Sequence, residues 1–156
     1  MIDLHKMSQT EYGQYRKKEI VKYAQMNVDS GKWEQLNSFR RAELELKYFL
    51  PLHLPEEGIY FLKIVEQVTG NNVGTVCYGN PPNQPTDECY VYEIRILDEH
   101  KRKGYGQIAF KKLEEKLKRI GIKKIILDVS VNNEAAILLY QKLGYTITNY
   151  RMKKAL

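Results

Sequence analysis

"CYVYEIRILDEHKRKGYGQIAFKKLEEKLKRIG", residues 89–121, decides the architecture. Its first nine residues, 89–97, are β-branched and aromatic enough for a central strand. From Gly106 onward, Ala109, Phe110, Leu113, Leu117 and Ile120 form one apolar stripe with lysines opposite, which predicts an amphipathic helix ended by Gly121. A strand that runs through a glycine-containing loop into a helix leaves backbone N–H groups without intrahelical partners, and such a place binds anions. Gly104 and Gly106 permit positive φ and a close approach to the main chain, while Lys101, Arg102 and Lys103 surround it with charge. The charge and the missing side chains therefore suit the same phosphates. The plainer alternative is a basic turn closed by glycine. No GxxxxGK[ST] pattern occurs, and GYGQIA lacks the third glycine of a dinucleotide fingerprint.

Working outward, "IDLHKM" reads as a first strand and Ser8-x-x-Glu11 as a capping box opening a helix that Gly31 stops. A second helix is expected from about Gln35 to Phe49, before Pro51. "IYFLKIVE" (59–66) and "VGTVCYG" (73–79) predict a hairpin, and "NPPNQPTDE" (80–88) a loop or lid. Downstream, "KKIILDVSV" (123–131) predicts a strand, Asn133 an N-cap for a helix through Leu143 with Gly144 after it, and "YTITNYRMKK" a final strand. The order βααβββαβαβ implies a mixed α/β (α+β) sheet, antiparallel first, then parallel through strand-helix-strand crossovers.

The 156 residues fit one domain with a core of its own. The first twenty lack an export signal and no stretch is apolar enough for a membrane span, so a protein of the cytoplasm with no membrane partner is expected. Cys77 and Cys89 have no metal-ligand spacing, so two reduced, packed thiols and no metal are expected. The net charge of +6 hides a division: residues 1–100 carry 11 Lys+Arg against 15 Asp+Glu, and residues 101–156 carry 14 against 4. The basic part suits phosphates, nucleic acid or an anionic membrane; the acidic part suits a cationic acceptor. No helix-turn-helix, RNA-binding sheet motif or zinc finger accompanies the basic part, so no nucleic-acid partner is expected.

Lys101-Arg102-Lys103-Gly104-Tyr105-Gly106 resembles the Arg/Gln-x-x-Gly-x-Gly/Ala signature of the GNAT superfamily of acyl-CoA-dependent N-acyltransferases, with Lys at the first position. A second stretch, 127–145, resembles the family's strand followed by Asn-x-x-Ala-x-x-x-Tyr and Gly-Phe/Tyr, matched by Asn133, Ala136, Tyr140, Gly144 and Tyr145. The resemblance is strong over about residues 88–156 and loose before. It implies a GNAT-like sheet with antiparallel N-terminal strands, a parallel central pair and about four helices. Residues 1–87 would be the acceptor side, and 88–156 the acetyl-CoA-binding and catalytic side. A homodimer is consistent with it.

The same resemblance implies that acetyl-CoA is the co-substrate. Its diphosphate would lie on N–H groups from Arg102 to Gln107, with Lys101 beside them. Its pantetheine arm would pair with backbone of Ile94, Arg95 and Ile96, and Asn133 would contact the arm. The thioester would then sit at a gap between the parallel strands, near Tyr140.

Attack by an amine poses two proton problems. A lysine-like amine is about 99.9% protonated near neutral pH, equivalent to roughly 4 kcal/mol. Asp128 and Glu93 are the candidate bases. The departing thiolate needs a proton, for which Tyr140 is the candidate acid. Tyr12, Tyr15, Trp33 and Tyr92 are candidate aromatic walls for the acceptor, although aromatics at helical spacing are more often core. A small-molecule amine is the leading acceptor: a polyamine, an aminated antibiotic or an amino acid. A protein N-terminus or lysine is the alternative. A non-catalytic acyl-CoA-binding protein and a basic nucleic-acid-binding module are the readings from other classes.

Overall fold

The structure is a computed structural model that describes residues 1–80 and 85–155. The central part of the expected 80–88 loop lies outside the described residues. The chain forms two compact units, Met1–Ile126 and Leu127–Leu156.

In the first unit, β1 (Ile2–Lys6) leads through Ser8 into α1 (Gln9–Asp29). The capping box forms as expected: the Ser8 hydroxyl accepts from the Glu11 N–H at 3.3 Å and the Ser8 N–H donates to the Glu11 carboxylate at 2.8 Å. Gly31, with φ of 72°, lies just past the C-cap Ser30. The second helix, α2 (Ser38–Glu45), is shorter than expected at both ends. Asn37 enters it in the left-handed region without a side-chain cap. Ahead of Pro51 the last turn tightens, with the N–H groups of both Phe49 and Leu50 donating to Leu46 C=O.

Next come β2 (Ile59–Glu66), β3 (Asn72–Gly79) and β4 (Glu88–Ile96), each within a residue of the sequence reading. A single 3-10 turn, Asp98–His100, and a short loop connect β4 to α3 (Tyr105–Arg119), and β5 (Lys124–Leu127) follows. The strands stand in the order β1-β2-β3-β4-β5, antiparallel throughout except for the parallel pair β4 and β5.

Side-chain alternation sorts the sheet into two faces. Phe61 and Cys77 are directly opposite in register and belong to a core with Tyr12, Ile20 and Ala24 of α1 and Ala42 of α2. One residue along, Leu62 and Val76 face the other way. On that side α3, contacting β1 and β4, buries Ala109, Phe110, Leu113 and Leu117. Both cysteines are buried free thiols, and burial pushes Cys89 up to about 11, so neither ionises near neutral pH.

Between Cys77 and Tyr78 the β3–β4 register slips, pairing Cys77 with Glu93 and Tyr78 with Val91, so Tyr92 is an extra residue on β4. Beyond this bulge the two strands approach closely: a Cβ on Gly74 would lie 2.3 Å from the Arg95 carbonyl oxygen.

In the second unit, α4 (Glu134–Lys142) follows the end of β5. The Asn133 side chain caps it by accepting from the Ala136 N–H at 3.2 Å, and Gly144, with φ of 92°, follows the C-cap Leu143. Two expectations are corrected here. The fifth strand ends at Leu127 instead of 131, because Ser130 bends the chain: its carbonyl accepts from the Asn133 N–H and its hydroxyl from the Asn132 N–H. Described residues 145–155 form no strand. Alternation alone does not make one without a paired edge, and Ile147, Tyr150 and Met152 are exposed.

Gly74→Ala should lower the unfolding free energy by roughly 1–3 kcal/mol in urea titration, because the added methyl meets backbone and not a movable side chain. Glu11 also pairs with Lys63 of β2, and that ion pair first, then the Ser8 N–H, lowers its carboxyl to about 2. A depressed carboxyl stabilises the fold above its unfolded pKa near 4.5 and loses that contribution as pH falls toward 2. Midpoint denaturation between pH 5 and pH 2 should therefore fall less steeply in Glu11→Gln than in the parent.

Candidate active site

The extra residue on β4 has a direct consequence for chemistry. In a regular strand, neighbouring side chains point to opposite faces, yet Tyr92 and Glu93 both line one cleft of about 220 Å³. The opposite wall is one stripe of α1, carrying Tyr15, Glu19, Lys22, Tyr23 and Met26, and Leu46, Phe49, Leu50, Phe61 and Cys77 complete it.

At the base of this cleft Glu93 is held from several sides. Tyr15 donates to its Oε2 at 2.8 Å, the Thr75 hydroxyl donates to the same oxygen at 3.3 Å, and Arg95 Nε lies 3.5 Å from Oε1. Arg95 in turn pairs with Glu19 of α1. Burial first, and then the Glu93 charge, push the Tyr15 phenol far above its usual value, so it is a permanent donor. The network was hidden from sequence reading because its members lie 76 and 78 residues apart. The expected wall residues divide: Tyr15 and Tyr92 line the cleft, whereas two others do not. Tyr12 is fully buried and donates to Pro51 C=O at 2.7 Å, and Trp33 lies edge-on to Tyr23 beneath the Arg41 guanidinium. The negative charge of the first 100 residues is not concentrated here either, since Arg95 and Lys22 balance Glu19 and Glu93.

On the same strand, Ile94, Arg95 and Ile96 pair with Val76, Thr75 and Gly74 of β3. The other neighbour, β5, begins beside Asp87, whose carbonyl accepts from the N–H groups of Lys123 at 2.7 Å and Lys124 at 3.2 Å. At about 3.3 Å per residue, its four residues flank the beginning of the nine-residue β4 and stop short of Ile94–Ile96. That leaves a backbone edge for an extended ligand.

Past β4 the loop turns into an amide cradle. Gly104 is left-handed at φ of 78°, as its glycine requires, but the second left-handed residue is Arg102 at φ of 62°, and Gly106 is helical. The first helical bond of α3 runs from Ile108 N–H to Gly104 C=O, so the N–H groups of Tyr105, Gly106 and Gln107 are directed out of the helix start. Lys101 is drawn to Asp98 at 2.6 Å. The Tyr105 side chain reaches away to Glu66 at the end of β2, and that bond first, then the one from Thr69, lowers the Glu66 carboxyl. Backbone, not side chain, is what Tyr105 offers the cradle. Its fit to a diphosphate rests on these outward N–H groups and the paired left-handed residues.

The second unit holds the remaining sequence candidates. Asp128 is exposed just past β5, Asn133 caps α4 through its carbonyl oxygen, and Tyr140 is half-buried with its ring 5.9 Å from that of Tyr145. Burial raises the Tyr140 phenol above its usual value, keeping it protonated at neutral pH. Among the described residues no group of three or more His, Cys, Asp or Glu is placed to hold a metal ion, and no helix is long and apolar enough to cross a membrane.

A mixed sheet with a bulged central strand, an edge of that strand that β5 does not reach and an amide cradle at the following helix is the architecture of acyl-CoA-dependent N-acyltransferases. The acetyltransferase (GNAT) family model matches residues 23–145, and the chain belongs to that family. It is an N-acetyltransferase by family, and such enzymes use acetyl-CoA in general. It is 29% identical over 153 residues to the uncharacterized N-acetyltransferase YdgE of Bacillus subtilis, covering 98% of this chain and 97% of that one. The crystal structure of the uncharacterized N-acetyltransferase YycN of Bacillus subtilis superposes with a TM-score of 0.82 at 24% identity, over 100% of this chain and 99% of that one. The [ribosomal protein bS18]-alanine N-acetyltransferase of Escherichia coli is 31% identical over 65 residues, 42% of this chain and 44% of that one.

Tyr15→Phe removes a charge-assisted hydrogen bond from a partly buried carboxylate. It should lower stability by about 1.5–3 kcal/mol in urea unfolding, while Tyr15→Ala should cost more through lost packing against Phe61.

Proposed function

We propose that residues 1–156 act as one GNAT domain, cytoplasmic, that transfers an acetyl group from acetyl-CoA to the primary amine of a small molecule in a ternary complex. Residues 1–87 supply most of the acceptor side and 88–156 the acetyl-CoA and catalytic side. The observation that carries this reading is the cleft under the β4 bulge, where Glu93 stands among aromatic walls beside a strand edge and an amide cradle.

Acetyl-CoA supplies its acetyl group as a thioester, already activated toward nitrogen nucleophiles. N–H groups from Arg102 to Gln107 hold the diphosphate, with Lys101 and Lys103 adding charge near them. Main-chain groups of Ile94, Arg95 and Ile96 align the pantetheine arm as an added strand, and Asn133 contacts the arm. Glu93 takes the proton from the acceptor ammonium, which frees the nitrogen lone pair to form the new C–N bond. As the C–S bond breaks, the Tyr140 hydroxyl gives its proton to the sulfur; the second proton shed by the acylated nitrogen passes through solvent to restore the phenol, and Glu93 returns the first to solvent. Glu93 is preferred to Asp128 as base because it lines the cleft, whereas Asp128 is exposed on the second unit.

At about 220 Å³ the cleft is smaller than the roughly 300–1,000 Å³ typical of sites for drug-sized ligands, which favours a compact acceptor. A protein N-terminus or lysine is the second reading, favoured by the partial likeness to the bS18-alanine enzyme.

Calorimetry should give a measurable heat for acetyl-CoA and for free CoA, and their absence overturns the assignment. In a thiol-release assay, Tyr140→Phe should keep acetyl-CoA affinity within about twofold and lower kcat about 100-fold. Glu93→Gln should lower kcat similarly.

A further inference from the structure

The charges of the cleft pair off unevenly. Arg95 is taken by Glu19 on one side and leans on Glu93 on the other. Lys22, one turn beyond Glu19 on the same face of α1, lines the cleft with no carboxylate within 4 Å among the described residues. The nearby Asp98 feels its charge, but that carboxylate is already bound to Lys101 at 2.6 Å. With Glu19 taken up by Arg95, the cleft offers an ammonium the Glu93 carboxylate, which Arg95 touches through only one oxygen, and offers an anionic group Lys22. The same lining also carries apolar side chains, among them Met26, Leu46 and Phe49.

From this arrangement we infer that the acceptor is amphoteric: an amino acid, or a similar compact amine, with a carboxylate that Lys22 receives and an apolar side chain set against Met26 and Phe49. A polyamine would place its second cation against Lys22 and lose by the same charge that an amino acid gains from. This inference rests on the reading of the cleft as the acceptor's site, and it deepens that reading by naming the substrate class.

The experiment compares leucine, leucinamide and putrescine as acceptors in the thiol-release assay with acetyl-CoA. Binding of N-acetylleucine and N-acetylleucinamide to the CoA-loaded protein is measured in parallel by calorimetry. Leucine should exceed leucinamide in kcat/KM by about fivefold, the ceiling for an exposed ion pair, even though the amide's nitrogen is the easier to deprotonate. N-acetylleucine should likewise outbind its amide. Lys22→Ala should bring both ratios to about one, and Lys22→Glu should move the preference toward putrescine. Equal or better use of leucinamide or putrescine by the parent protein overturns the inference while leaving acetyl transfer standing, and so do ratios that Lys22→Ala does not change. A parent protein that binds CoA yet neither N-acetyl compound also overturns it, whereas one that binds no CoA overturns the acetyl-transfer reading as well.

Discussion

One irregularity in the sheet, the extra residue Tyr92 in the β3–β4 ladder, organises the site. A strand without it would send Tyr92 and Glu93 to opposite faces, leaving the cleft with a carboxylate and no aromatic wall, or the reverse. The bulge also ends one stretch of register and begins another, and in the second stretch Gly74 admits the Arg95 carbonyl at a distance no side chain allows. A local loss of pairing thus brings two side chains into one cleft while the neighbouring ladder stays tight.

The α1 wall depends on a different set of forces. Its N-terminus is fixed by the Ser8–Glu11 capping box and the Glu11–Lys63 pair, and its middle by Tyr15 to Glu93 and Glu19 to Arg95. Hydrophobic burial of Tyr12, Ile20 and Ala24 supplies most of the cohesion, since it removes whole side chains from water, and the polar contacts choose the rotation of the helix. That rotation decides that Lys22 and Met26, not Val21 or Gln25, look into the cleft.

Local signals were the ones legible in the sequence. The hairpin strands, the Ser8 cap, the Asn133 cap and the glycines at 31, 121 and 144 all depend on a few adjacent residues, and all stand where their chemistry placed them. The β4–loop–α3 passage was legible for the same reason, apart from its second left-handed residue: Arg102 adopts a conformation that composition assigns to glycine. Strand ends were less legible, because whether 128–131 or 145–155 extends a sheet depends on a pairing partner that sequence alternation does not supply. The Tyr15–Glu93–Arg95–Glu19 network was illegible, since it joins two elements far apart in the chain: Tyr15, Glu93 and Arg95 drew separate readings, and nothing local ties them to one another or to Glu19.

Along β4, three consecutive residues answer to three different masters. The side chain of Arg95 belongs to the charge network and its peptide groups face β3, as those of Leu97 do, whereas the side chains of Ile94 and Ile96 point the opposite way and their peptide groups face away from β3. Recognition written in peptide groups does not mutate when a side chain does. The two isoleucines can therefore drift among hydrophobic residues of similar bulk without altering the peptide groups that β4 presents on that side.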